Sequence, residues 1–147
     1  MRACGIPAEY AIGSFIVFWI ILSYLISLVS GWGTIAKYYR RPEGMLLSGA
    51  KGFLTSLYLN RSNYTKSVHI RVDDFGMHLS VLFFFRFGHP PLFVPWSDIK
   101  IEERQSHISG KAHHYIIFSK TPLIRVSINE SALEKLNILG RYKFPSK

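Results

Sequence analysis

Cysteine and acidic residues are scarce in this chain of 147 residues. Cys4 is the only cysteine, so no internal disulfide can form, and a reducing compartment is the simpler interpretation. Nine acidic residues stand against 18 Lys and Arg, which gives a net charge of +9. No charged residue occurs from position 10 to position 36. The sequence thus excludes a disulfide scaffold and sets apart an uncharged N-terminal segment.

Motifs that carry chemistry are also missing. There is no nucleophile elbow, phosphate-binding loop or paired acidic motif. His107, His113 and His114 have no cysteine or carboxylate at a useful spacing, and neighbours on a strand point to opposite faces, which argues against a zinc site. The basic residues come without a recognition helix or zinc spacing. We therefore predict no enzyme activity, no metal, no cofactor and no nucleic-acid partner.

The uncharged segment contains the run AIGSFIVFWIILSYLISLVS at residues 11–30. At about 1.5 Å per residue, a helix of this length spans roughly the 30 Å hydrocarbon core of a bilayer. The run is longer than the apolar region of about 7 to 15 residues in a signal peptide. We therefore predict an uncleaved transmembrane anchor over residues 1–36.

The charges that flank the anchor predict its orientation. Only Arg2 precedes the span, whereas four basic residues follow it: Lys37, Arg40, Arg41 and Lys51. Excess Lys and Arg mark the cytoplasmic side. We expect a single-pass protein of the inner (plasma) membrane with its N-terminus outside. The same four residues are predicted to contact anionic lipid headgroups, at about 1 kcal/mol each, with Trp32, Tyr38 and Tyr39 at headgroup level.

Three serines in the anchor, Ser23, Ser27 and Ser30, recur at i, i+4 and i+7 and so share one stripe of the helix. Small polar residues permit close helix packing, which predicts an integral membrane partner or a second copy of the chain. The alternative is that each hydroxyl bonds a carbonyl of its own helix, four residues back.

After the anchor the sequence reads as short strands separated by turns. Val68, Ile70 and Val72 alternate with polar residues, and the turn Asp73–Gly76 predicts a hairpin with the next apolar run. Seven strands are predicted in all, at 51–59, 65–72, 77–85, 92–94, 99–103, 114–119 and 123–128. Residues 37–48 are predicted to be a basic juxtamembrane linker, and residues 49–147 a β domain.

One further helix is predicted near the C-terminus. Ser131 and Glu134 fit a capping box, Leu133 and Leu136 supply an apolar face, and Gly140 provides a stop.

Two resemblances follow from this order of elements. Seven strands and a final helix resemble the pleckstrin-homology-like fold, a bent antiparallel barrel closed by a helix. The anchor ending in Gly31-Trp32, the stretch Lys37-Tyr38-Tyr39-Arg40 and the segment FRFGHPPLFVPWSDI are similar to a group of small uncharacterised bacterial membrane proteins. The resemblance implies a single-pass protein with a pleckstrin-homology-like cytoplasmic domain and no known activity.

The segment FRFGHPPLFVPW, residues 85–96, predicts a sharp turn. Pro90 and Pro91 lack amide donors and cannot lie in a central strand, while Gly88 permits a conformation that other residues avoid. We expect His89 to cap a backbone carbonyl and Trp96 to pack back on the core. The alternative makes His89 a ligand or an acid/base group.

The predicted function is a non-enzymatic, membrane-anchored interaction module or accessory subunit that binds a protein partner and anionic lipid headgroups. The alternative is a hydrolase with a site near His89 and Asp98, to which Ser97 would contribute.

Overall fold

The structure is a computed structural model that describes residues 5, 7–45, 51–60, 62–105, 108, 112–128 and 130–138. Its helices are α1 Ala8–Ser30, α2 Trp32–Tyr39 and α3 Glu130–Lys135. Its strands are β1 Lys51–Leu59, β2 Ser62–Val72, β3 Gly76–Val81, β4 Leu92–Pro95, β5 Ile99–Gln105, β6 Ala112–Phe118 and β7 Arg125–Ile128.

Helix α1 is long and apolar enough to cross a bilayer by length and composition, with a mean hydropathy of 2.4 over its most apolar part. It ends at Gly31, whose φ of +87° is left-handed and free of cost only in glycine. Helix α2 begins directly afterwards, so the chain bends at Gly31 without a spacer.

The seven strands form one antiparallel sheet in the order β4-β3-β2-β1-β7-β6-β5. Val68, Ile70 and Val72 are buried as their alternation predicts, and β2 pairs with β3 across the predicted hairpin. The predicted fold class is confirmed: an N-terminal apolar helix is followed by seven strands and a C-terminal helix.

Helix α2 belongs to the core of the β domain. Trp32, Ile35 and Tyr39 lie at i, i+3 and i+7 on one face and are all buried. The expectation that Trp32 and Tyr39 lie at headgroup level is therefore wrong, whereas Tyr38 is exposed. Helix α2 therefore packs its apolar face into the core, because that face is more stable when buried.

The apolar run after β3 does not continue as a strand to residue 85. β3 ends at Val81, and Phe83–Phe85 form a 3-10 turn closed by hydrogen bonds from Phe85 N to Leu82 O and from Arg86 N to Phe83 O. The neighbouring strand β4 begins only at Leu92, opposite Leu79, so it offers no ladder partner here. We call residues 82–91 the corner.

The C-terminal helix α3 begins at Glu130, so Ser131 lies within its first turn and is not the N-cap that the capping box predicts. Leu133 and Leu136 are buried as expected. Gly140, the predicted stop, lies outside the described residues.

Candidate functional site at the corner

The serine stripe of α1 packs against the corner of the same chain. Ser23 Oγ lies 3.2 Å from Phe85 O and 3.0 Å from Phe87 O, and Ser27 Oγ donates to Gly88 O. Both serines are buried. The three serines share one face of α1, and Ser23 and Ser27 bind carbonyls of the corner instead of carbonyls of their own helix four residues back. The predicted membrane partner or second copy stays a prediction.

Two tryptophans extend this contact on either side. Trp19 Nε1 donates to Phe84 O at 2.7 Å, and Trp32 Nε1 donates to Pro90 O at 3.0 Å. The corner therefore follows α1 from Trp19 to the helix end and is held there by side-chain donors.

Gly88 lets the corner approach α1 closely. Its φ is +77°, and a Cβ at this position would lie 3.0 Å from the Cα of Tyr24. The left-handed conformation that the sequence predicts for Gly88 is thus present, and the absence of a side chain also allows backbone to pack on backbone.

His89, a residue of the corner, is 1 % exposed. Its Nδ1 is 3.1 Å from Phe87 O and its Nε2 is 2.9 Å from the hydroxyl of Tyr64. That hydroxyl is 2.7 Å from Ser30 Oγ, at the end of α1. His89 caps a backbone carbonyl, as the structural interpretation predicts, and it also connects α1 with strand β2.

Burial lowers the pKa of His89, and the carbonyls of Phe87 and Phe85 offset only part of that effect. Burial also raises the pKa of the Tyr64 hydroxyl. Both groups are therefore neutral near pH 7, with His89 Nδ1–H donating to Phe87 O. The single hydroxyl hydrogen of Tyr64 lies between Ser30 Oγ and His89 Nε2, so each imidazole nitrogen has a partner at hydrogen-bonding distance.

The residues of the hydrolase alternative lie in separate groups. The Asp98 carboxylate accepts a hydrogen bond from the Tyr39 hydroxyl at 3.0 Å, and Ser97 Oγ is 3.5 Å from the same carboxylate. Among the described residues no hydrogen bond joins His89 to Ser97 or Asp98. His89 packs against Tyr64 and Trp32, whose ring lies 5.6 Å from the imidazole. It lines a cleft of ≈ 220 Å³ together with polar residues of β2, and neither Ser97 nor Asp98 lines that cleft.

A basic cluster, Arg41, Arg71 and Arg86, lies beside the corner. The backbone of Arg41 is fixed to it by the hydrogen bond from Arg41 N to Pro91 O, 2.9 Å. Partial burial, followed by the positive charges of Arg86 and Arg71, lowers the pKa of the Arg41 guanidinium. Within the described part of the chain none of the three forms a salt bridge with a carboxylate, so their charges are uncompensated.

The predicted lipid-contacting residues agree with this cluster only at Arg41. Lys37 and Arg40 are exposed, and the side chain of Lys51 lies outside the described residues. Sequence reasoning missed Arg71 and Arg86, because they come from strand β2 and from the corner and no local pattern joins them. Trp96, the last residue of the predicted turn, packs against the core and donates from Nε1 to Asp73 O at 2.9 Å.

The burial of His89 predicts that stability falls as the pH is lowered. Its pKa in the folded state is below that in the unfolded state, so below about pH 6.5 the unfolded chain binds a proton that the folded chain does not. Stability is then lost as the pH falls through this value, by up to about 1.4 kcal/mol per pH unit per proton. Denaturant unfolding of the full chain in mild detergent at several pH values measures this slope.

The His89→Gln variant is expected to have a smaller slope than the parent. His69 provides the comparison, because burial and the charge of Arg71 lower its pKa as well, and His69→Gln should remove the share of the slope that His69 contributes. An unchanged slope in His89→Gln would show that His89 does not titrate with unfolding.

No family model matches the chain, and no curated protein is significantly similar to it in sequence. The resemblance to small bacterial membrane proteins therefore stays a prediction. Among solved structures the chain is similar to the Vps36 N-terminal PH domain, with a TM-score of 0.43 and 12 % identity over 71 % of this chain and 89 % of that one.

Proposed function

We propose that the chain is a non-enzymatic, single-pass membrane-anchored binding module whose basic cluster binds anionic lipid headgroups. The observation that carries this proposal is the uncompensated charge of Arg41, Arg71 and Arg86 beside a corner that is held against the apolar helix α1. Guanidinium groups bind phosphate with charge-assisted, often bidentate, hydrogen bonds. If α1 spans the membrane, the cluster lies beside the leaflet on the side of the β domain. The headgroup phosphates of that leaflet are then the nearest anions.

The contacts of the corner favour a retained anchor over a cleaved signal sequence. Side chains of α1 satisfy the carbonyls of Phe84, Phe85 and Gly88. Removal of α1 would lose these hydrogen bonds, each worth about 0.5 to 1.5 kcal/mol, and would expose the adjoining apolar surface to water. These contacts favour retention of α1 in the mature protein.

The lipid proposal predicts selective binding of anionic lipid by the full chain in mild detergent. Native mass spectrometry should retain phosphatidylglycerol over phosphatidylcholine, and binding should weaken as salt rises, because exposed charges are screened within about 10 Å at 0.1 M. Replacing Arg41, Arg71 and Arg86 with Gln should weaken binding by about 3 kcal/mol, roughly a hundredfold.

A matched control removes the same charge elsewhere. Lys100, Arg104 and Arg125 are exposed on β5 and β7, and their replacement with Gln should leave most of the binding intact. Equal loss in both triple variants would mean that net charge alone attracts the lipid and that the basic cluster is not a site.

The flanking charges support an orientation with the N-terminus outside and the domain in the cytoplasm. A reporter that is active only outside the cytoplasm should be silent when fused after Lys147 and active when fused before α1. The opposite pair of results would reverse the orientation and would place the basic cluster on the less anionic leaflet.

A further inference from the structure

We infer that the outer part of the corner, residues 82–87, is immersed in the hydrocarbon of the leaflet on the domain's side, with its phenylalanines against lipid acyl chains. This inference rests on the proposal that α1 spans the membrane. It goes beyond headgroup binding, because it assigns a second element of the chain to the bilayer interior.

The corner presents large apolar side chains outward. Phe83 is 72 % exposed and Phe84 is 69 % exposed, and Leu82 and Phe87 are exposed as well. Four exposed apolar residues within six positions are unusual in an aqueous domain, and such patches mark a contact with lipid or protein. The patch is not isolated, since it continues onto α1 through Trp19, whose ring lies 5.3 Å from that of Phe85.

The patch and the helix together form one apolar groove of ≈ 590 Å³. Phe15, Ile16, Trp19 and Ile20 line it from the α1 side, and the corner lines it from the other. The α1 residues flanking this groove, such as Val17 and Ile21, are themselves exposed and must face lipid if α1 spans. The surface is therefore continuous with a lipid-facing helix, which favours acyl chains as the occupant.

The position along α1 at which the corner makes contact indicates how deeply the corner lies in the bilayer. The corner reaches Trp19, eleven residues before Ser30. At about 1.5 Å per residue this is roughly 16 Å, about half of a 30 Å hydrocarbon core. A corner held against α1 at this level cannot remain in water while the helix end lies at the interface.

The carbonyls of the corner are prepared for such an environment, whereas the amides of Phe83, Phe84, Phe87 and Gly88 have no protein acceptor among the described residues. Irregular backbone is tolerated at membrane depth only where the protein satisfies its polar groups. Every carbonyl from residue 82 to residue 88 accepts a hydrogen bond. Three of the donors are amides within the corner, and the others are the Trp19 indole, the Ser23 and Ser27 hydroxyls and Nδ1–H of His89.

Arg86 is the one charged residue in this segment. Its long side chain can keep the guanidinium near the interface while its stem follows the apolar surface. Arg86 lies close enough to Arg41 for its positive charge to lower the Arg41 pKa. Its position is thus compatible with an immersed backbone.

Fluorophore quenching in vesicles of phosphatidylcholine and phosphatidylglycerol tests this inference. In a Cys4→Ser background, single-cysteine variants Phe83→Cys and Phe84→Cys carry an environment-sensitive dye in the full chain. Phe75→Cys is the matched control, because Phe75 is also exposed, at 77 %, but precedes β3 at the end of the strand opposite the corner. Val17→Cys reports on α1.

We expect nitroxide on lipid acyl chains to quench the dyes at 83, 84 and 17 severalfold more strongly than the dye at 75. Aqueous iodide should do the reverse. A different result would contradict the inference that the corner is immersed but not the proposal that α1 spans the membrane. In that result iodide quenches the dyes at positions 83 and 84, and the lipid nitroxide quenches the dye at position 17. Iodide quenching at 17 as well would overturn the anchor on which the inference rests.

Protection from both quenchers at 83 and 84 would overturn the inference in favour of a protein contact with a second copy, the only other protein in the vesicles. Because both phenylalanines are exposed, the cysteine variants should fold like the parent, which the unfolding midpoint in detergent verifies.

Discussion

Replacing Trp32 with alanine is expected to lower the free energy of unfolding by about 3 to 5 kcal/mol, the range for large aromatic side chains in cores. Trp32 is 0 % exposed, and its ring lies 5.7 Å from that of Tyr64 and 5.6 Å from that of His89. Its loss would also leave Pro90 O without its donor. Denaturant unfolding of the full chain in mild detergent measures the effect.

Two further variants show whether burial is the cause. Tyr38→Ala changes an exposed aromatic on the same helix and should alter stability by less than about 0.5 kcal/mol. Trp32→Phe keeps most of the apolar volume and removes the indole donor, so its effect should fall between the two. A Trp32→Ala variant as stable as Tyr38→Ala would mean that α2 does not pack into the domain.

Replacing Gly88 with alanine is expected to have the next largest effect. The left-handed conformation disfavours a non-glycine residue by about 1 to 2 kcal/mol. The added Cβ would in addition meet the Cα of Tyr24 at 3.0 Å, a backbone atom that can move only if the corner moves away from α1. Overpacking of this kind adds typically about 1 to 3 kcal/mol.

Gly44 provides a matched control, because its φ is +81° but no atom lies within 4 Å of its Cβ position. Gly44→Ala should therefore show the conformational penalty alone. The excess destabilisation in Gly88→Ala measures the docking of the corner on α1. Equal effects in the two variants would indicate that the corner is not tightly docked.

Most of the secondary structure could be predicted from local patterns. In β2, Val68, Ile70 and Val72 alternate strictly with polar residues, and each of the three is buried in this strand, which pairs with a neighbour on both edges. The prediction failed where a local pattern was ambiguous. Phe83–Phe85 have strand-forming side chains, but the pairing of β3 with β4 ends at Leu79 and its pairing with β2 ends at Val81.

The candidate site was predictable only in part. The sharp turn was predicted from the backbone preferences of Gly88, Pro90 and Pro91. His89 was expected to cap a carbonyl within that turn. The sequence did not predict that the serines of α1 bind this turn. An i, i+4, i+7 stripe indicates that one face of the helix is packed, but it does not indicate which segment packs on it. Arg86 and Arg71 were overlooked for a related reason, because their proximity arises from strand pairing.

The sequence by itself determined that an uncharged helix long enough to cross a bilayer precedes a basic domain of seven strands and a final helix, because hydropathy, charge and alternation act over a few residues. Only the tertiary structure decided that Trp32 and Tyr39 are core residues and that the corner lies along α1. Such contacts join residues about 60 positions apart, as in the hydrogen bonds of Ser23 to Phe87 and of Trp32 to Pro90. They form because the carbonyls of an irregular turn need donors, and the nearest donors are the side chains of the helix that the fold brings beside it.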